Sequence, residues 1–231
     1  MNRRRFVSSI AAGIAGFELS FRTHAYQRCN QMGSCEVGIR FDKLQRTYAS
    51  QEMSQWCWAA TIEMIFNYYG YKVPQHKIVQ QIYGGIYNLP ALSGAVISSA
   101  LSRRWTDDQG LEFDVQLQAA YDVDSSVQAI DNNLILTSLA QEIPLIYGNY
   151  SHAMVLTAAA FNISPMGPQI FNLGFMDPWP GRGLRGMDNP SELTPMHQGA
   201  NSLHCFADYN CGLVKVVSDR YGLTLTDFRK F

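Results

Sequence analysis

In QEMSQWCWAATIEMIF, residues 51–66, Cys57 stands between two tryptophans at the point where a helical pattern begins. A thiol becomes a good nucleophile when it is held as thiolate, and the first turn of a helix favours that anion through its unpaired N–H groups and partial positive charge. Such a thiol needs a base. His24 belongs to a leader-like segment, His76 to a surface-helix pattern, and His197 and His204 to a long loop. His152 instead opens an apolar strand directly after the polar turn GNYS, where a rigid scaffold would hold its imidazole at an edge. A histidine base works in one tautomer, so a third group must accept its other N–H. Asp177 ends the next strand, in FMDPWPG, and a hairpin would return that strand end beside the start of the His152 strand. Nucleophile, general base and orienting carboxylate together are equipped for acyl transfer through a thioester, without metal or cofactor.

Each residue alone has a plainer reading. A buried free cysteine ordinarily packs as a small apolar group, and an aspartate before proline ordinarily forms a turn. Their joint spacing is what points to chemistry.

In the chain order Cys, His, Asp these residues resemble the papain-like cysteine peptidases, and most closely the bacterial branches such as secreted effector peptidases and bacteriocin-leader peptidases. The likeness rests on Gln51 six residues before Cys57 in QEMSQWCWAA, on SHAMVLT around His152 and on MDPWPG around Asp177, and it spans residues 45–182. It implies an α+β fold, with an N-terminal helical lobe packed on a C-terminal antiparallel β lobe and the site between them. It further implies a peptide or protein substrate, Cys57 as nucleophile, His152 as base and acid, Asp177 as orienting carboxylate, and Gln51 as an oxyanion donor beside the Cys57 N–H. A fixed amide donor suits the negative charge that develops on the carbonyl oxygen. Gln55 stands close enough in sequence to exchange that role with Gln51. Trp58 and Trp179 are expected at the substrate cleft, Trp179 shielding the bond between His152 and Asp177, although both could equally be core. Asp177 departs from the asparagine of plant-type members but agrees with the bacterial ones. No cysteine just before Cys57 crosslinks the helical lobe, so the subsites differ from the plant type. Acyl transfer to an amine and side-chain deamidation use the same residues, and a binding module without turnover would keep the same fold.

The rest of the chain must position these groups. Its 231 residues, 47% hydrophobic and 16% charged, are enough to bury a substantial core. A net charge of -1, with no basic cluster beyond the first five residues, argues against nucleic acid as the partner. Residues 1–25 read as a signal peptide, with Arg3, Arg4 and Arg5 before an apolar stretch and small residues at Thr23 and Ala25. The paired arginines fit twin-arginine export, and a general secretory signal fits the same residues. The apolar stretch falls short of the roughly 20 residues a membrane span needs, so no stable membrane insertion is expected after cleavage. Residues 26–231 read as one domain, located in the periplasm or outside the cell.

Five cysteines in an exported chain leave one unpaired. Cys29 with Cys35 and Cys205 with Cys211, each six apart, make the economical disulfides, and Cys57 is the one left over. Residues 26–50 read as irregular, with a short strand near 36–41. Helices are predicted from Cys57 to Gly70, from Pro74 to Gly84, from Gly94 to Arg104, and over residues 125–142 behind a serine cap. Strands are predicted over 111–123, 144–150, 152–161 and 169–177, with SPMG as a turn and a closing strand from Cys211.

Overall fold

The computed structural model describes residues 25–122, 127–128, 131–149, 152–186 and 211–217. It opens with β1 (Tyr26–Cys29), β2 (Ser34–Gly38) and α1 (Phe41–Gln45), followed by three helices, α2 (Cys57–Tyr68), α3 (Gln75–Tyr83) and α4 (Gly94–Ala100). Then come β3 (Arg104–Thr106), β4 (Glu112–Asp122), β5 (Val127–Gln128) and α5 (Asn132–Ala140). The last described strands are β6 (Leu145–Asn149), β7 (His152–Ser164), β8 (Gly167–Asp177), β9 (Gly183–Gly186) and β10 (Cys211–Val217). The chain is thus α+β with an antiparallel sheet.

The sheet is organised around β7. Its thirteen residues carry β8 along one side, while β6 pairs with its first part and β2 with its second. A single order β1-β2-β7-β6-β10-β4-β3 results, with β9 attached to β8 and β5 to β4. Ser164 pairs with Gly167 across the turn that SPMG predicts, and Gly167 takes a φ of 101° that a side chain would resist. Thr157 has no partner in the β7–β8 register, so β7 bulges there. Its carbonyl accepts from the Ile39 N–H at 2.9 Å, and its hydroxyl donates to the Gly174 carbonyl at 3.1 Å.

Helix α2 is the spine of the other half. Trp58, Ala59, Ala60, Thr61, Ile62, Met64, Ile65 and Phe66 are all buried, so it is apolar on nearly every side and packs on β7 and α3 at once. Each large apolar side chain so buried contributes about 1.5–3 kcal/mol. Helix α3 stops at Gly84, which adopts the left-handed conformation at φ 76°.

The structure departs from the sequence reading in several places, among them helix α1 within the stretch read as irregular and β9 within the long loop after Asp177. Residues 26–38 form a hairpin, with Cys29 and Cys35 as direct cross-strand partners and disulfide-bonded; a polar, exposed β1 carries no core-facing alternation to reveal it. Helix α4 ends at Ala100 rather than Arg104, because Trp105 is buried and pairs with Phe113 in the β3–β4 ladder while Arg103 Nε donates to the Ser99 carbonyl. Helix α5 starts at Asn132, not near 125, since Val127 and Gln128 pair with β4 and the Asp131 carboxylate caps the helix by accepting from the Leu134 N–H at 2.8 Å. Finally, β1 to β4 precede the strand-rich half and join its sheet, so helices and strands are only partly segregated along the chain. Cys205 lies outside the described residues, as do His197, His204 and the Cys211 side chain, and with them the second disulfide.

Candidate active site

Cys57 is the first residue of α2 and is half-buried, with Trp56 in the cap position and no side chain capping the helix. The N–H groups of the first turn therefore remain directed at whatever negative charge stands there. Among the described cysteines it is the free thiol.

Strand register explains how His152 and Asp177 meet. Val155 pairs with Met176, so Asp177 sits one step further along β8 and His152 lies diagonally across, on the same face of the sheet. An imidazole spans such a diagonal. His152 Nε2 lies 2.6 Å from Asp177 Oδ1, which leaves Nδ1 for the Cys57 thiol, a group close enough to act on the ring's protonation. Burial pulls the imidazole down, but the hydrogen bonds to Asp177 and Cys57, together with the charges on both, outweigh it and raise His152 from 6.5 to about 9. Conversely, burial pushes the Asp177 carboxyl up, while hydrogen bonds from His152, the Trp179 N–H and Arg185, with the imidazolium charge, bring it down to about 2. Near neutral pH the two form an ion pair.

Asp177 is wholly buried, and both of its oxygens have hydrogen-bond partners. Oδ1 accepts from the Trp179 N–H at 2.9 Å as well as facing His152, and Oδ2 accepts from Arg185 Nε at 2.8 Å with Arg182 Nη1 at 3.6 Å. Sequence reasoning missed Arg185. The usable signal was that a buried carboxylate with two oxygens needs a second donor, and that a basic residue follows at strand spacing after the PWPG turn.

Gln51 is buried, and its amide Nε2 lies 3.0 Å from the Met53 carbonyl and 3.2 Å from that of Ser54, while Oε1 is buried with no partner. Its backbone N–H donates to the Pro178 carbonyl at 2.8 Å, and Ser50 Oγ reaches the same oxygen at 3.3 Å. The segment before α2 is thereby tied to the turn that follows Asp177. Gln55 is exposed, and its N–H is held by Asn88 Oδ1 at 3.0 Å.

The two tryptophans divide. Trp179 is 46% exposed and presents its edge to the His152 ring, with centroids 6.3 Å apart, so it partly roofs the His–Asp pair. Trp58 is 1% exposed and belongs to the core, not to a cleft wall. Its ring packs edge-on to Tyr83, and its Nε1 donates to the Leu89 carbonyl at 3.0 Å, as Trp56 Nε1 does to Tyr87 at 2.8 Å. These indoles fasten the loop between α3 and α4 to the helix that carries the thiol, because a buried indole N–H demands an acceptor.

His76 is exposed on α3. The geometry thus joins His152 to Asp177, sets the Cys57 thiol against the same ring, adds Arg185 behind the acid, and ties Gln51 through its backbone to the turn after Asp177 while its amide N–H groups face Met53 and Ser54. No family model, curated protein or solved structure matches the chain.

Proposed function

We propose that this protein is a papain-like cysteine peptidase that cleaves peptide bonds through a thioester acyl-enzyme. The observation that carries the reading is the His152 imidazole bridging the Cys57 thiol and the Asp177 carboxylate, at the meeting of a helix start and a strand start. In that arrangement Cys57 attacks as thiolate while His152 stands as imidazolium. The tetrahedral oxyanion is met by N–H groups at the head of α2, and the Gln51 amide joins them as the side-chain donor by releasing the Met53 or Ser54 carbonyl that its two N–H groups hold at rest. His152 gives its proton to the leaving amine as the carbon–nitrogen bond breaks. It then takes a proton from water, whose oxygen attacks the thioester; the carbon–sulfur bond breaks, releasing the acid and restoring the Cys57 thiolate beside the imidazolium. Asp177 holds the ring in the required tautomer throughout.

The papain-like two-lobe reading is supported by α2 packing on β7 with the reacting ends of both elements together. Export to the periplasm or beyond is supported by the Cys29–Cys35 disulfide, which persists in oxidising compartments. Among the described residues no helix is long and apolar enough to cross a membrane.

The test is incubation of the purified protein with denatured polypeptides. New peptide termini, abolished in Cys57→Ala and by prior alkylation of Cys57, are expected. Ammonia release or crosslinked products without cleavage would move the assignment to a deamidase or transferase. A Cys57 alkylated no faster than a free peptide thiol, with no turnover, would leave a binding module.

A further inference from the structure

His152 faces only one oxygen of Asp177. A carboxylate held at one oxygen can swing about its own side-chain torsion, and the histidine it orients swings with it. In this protein the second oxygen is held from the opposite side. Arg185 Nε donates to Asp177 Oδ2 at 2.8 Å, and the guanidinium is itself fixed on every edge. Nη1 donates to the Gly186 carbonyl at 3.0 Å, Nη2 lies 3.2 Å from Met154 Sδ, and the group sits 5.6 Å from the centroid of the Phe175 ring. The side chain is only 15% exposed.

The register makes this a property of the fold. Asp177 pairs with Gly183 and Phe175 with Arg185, so Arg185 is the diagonal neighbour of Asp177 from β9, as His152 is from β7. The acid on β8 is therefore gripped from both flanking strands on one face of the sheet. A lysine in the same place would bring the charge without the planar fork that bonds the carboxylate while resting on a ring.

Resting on the peptidase reading, we propose that Arg185 is a positioning residue of the reaction, locking Asp177 through Oδ2 so that Oδ1 keeps the His152 ring aimed at Cys57. Among the described residues, the charged groups around Asp177 are His152 from β7, Arg185 from β9 and Arg182 from the intervening turn, with Cys57 of α2 beyond the ring. Arg182 is half-exposed and 3.6 Å away, a looser companion.

Removing the guanidinium has a signed consequence. Loss of a positive charge disfavours the thiolate, which raises the acid limb of the pH profile, and favours the imidazolium, which raises the alkaline limb too. A residue that only stabilised the fold would move neither.

The experiment uses the full chain with Arg185→Gln and Arg185→Lys, reading the pH dependence of Cys57 alkylation by iodoacetamide and, separately, kcat and KM on a peptide. For Arg185→Gln both limbs are expected to move up by about half a pH unit or more, the effect of one charge several ångström away. Its kcat should fall about 10- to 100-fold, with KM within about twofold. Arg185→Lys should keep both limbs in place and still lose kcat by about threefold or more. A folded Arg185→Gln with wild-type limbs and kcat overturns the proposal. Where that variant does not fold, a wild-type kcat in Arg185→Lys overturns it instead. An active wild type with an indifferent Arg185 sinks the positioning role alone, whereas a wild type without a reactive Cys57 sinks the peptidase reading and this role together.

Discussion

Replacing Asp177 by asparagine keeps the shape of the side chain and removes its charge. The donors around it pull the amide in opposite directions. The Trp179 N–H donates to Oδ1, the oxygen that faces His152, and Arg185 Nε donates to Oδ2, so the NH₂ group meets a donor at either end. With the oxygen toward His152, Nε2 keeps its proton and Arg185 is left without its acceptor. With the oxygen toward Arg185, Nε2 must accept, the ring proton moves to Nδ1, and the ring cannot take the thiol proton.

The charge argument runs the same way. The rise of His152 from 6.5 to about 9 corresponds to about 3 kcal/mol in favour of the imidazolium, won by Asp177 and Cys57 against the opposing effect of burial. Without the carboxylate, burial is opposed only by the sulfur, so the alkaline limb of Cys57 reactivity should drop from about 9 to near or below 6.5. The lost charge, with a donor clash in either orientation and the wrong tautomer in one of them, should lower kcat about 10²- to 10⁴-fold. The assay is the pH profile of iodoacetamide reactivity in wild type and Asp177→Asn, with kcat on a cleaved peptide and the imidazole resonances of His152 as a direct readout of its titration. A variant whose alkaline limb stays near 9 and whose kcat falls by less than tenfold would refute the reasoning.

His152 is raised in the folded state, so its contribution to stability is fully present below 6.5 and is lost as pH climbs through about 9; urea unfolding at pH 6 and pH 10 should differ by up to about 3 kcal/mol more in wild type than in His152→Ala. Asp177 is depressed, so its contribution is present above about 4 and fades as pH falls toward 2. Gln51→Ala should cost about 100- to 1,000-fold in kcat without moving the alkylation profile, whereas Gln55→Ala should stay within about threefold, and the reverse ranking would reassign the oxyanion donor. Trp58→Ala should destabilise the protein by about 3–5 kcal/mol in denaturant unfolding, as expected for a core indole and not for a cleft wall. Replacing Cys29 and Cys35 by serine should cost about 2 kcal/mol by the loop-entropy argument and leave Cys57 alkylation at its wild-type rate, because β2 meets β7 beyond Ala158, about 20 Å along the strand from His152.

How much of this was legible beforehand depended on whether a residue's neighbours were close in sequence. The helix at Cys57, its stop before Gly70, the SPMG turn and the strands on either side of it all follow from local period and turn chemistry, and the structure has them within a few residues. The β7–β8 hairpin is local too, so the approach of His152 to Asp177 could be anticipated from a strand start and the following strand's end. What escaped was decided at long range. The β1–β2 hairpin is exposed along β1 and gains its place by β2 pairing with β7, more than 120 residues later. Trp58 sits beside Cys57 in sequence yet turns inward, because helical spacing rotates adjacent side chains about 100° apart and the core lies on that side. Residue adjacency on a helix predicts separation, where on a hairpin it predicts contact.

Arg185 shows the same limit within the site itself. A motif reading ends at the acid, because that is where the recognisable residues end, but a carboxylate cannot be buried on the strength of one partner. Cys57, His152, Asp177 and Arg185 come from α2, β7, β8 and β9, one group from each element, and in the reactive state their charges alternate in sign along the row. Alternation is what allows four ionised groups to share a largely dry site, since each charge is flanked by its opposite and the row sums to zero. Truncating the row at either end leaves an uncompensated charge beside the reacting sulfur or behind the acid. On the peptidase reading, the cation at the far end therefore favours a thiolate at the near end, although the two never touch.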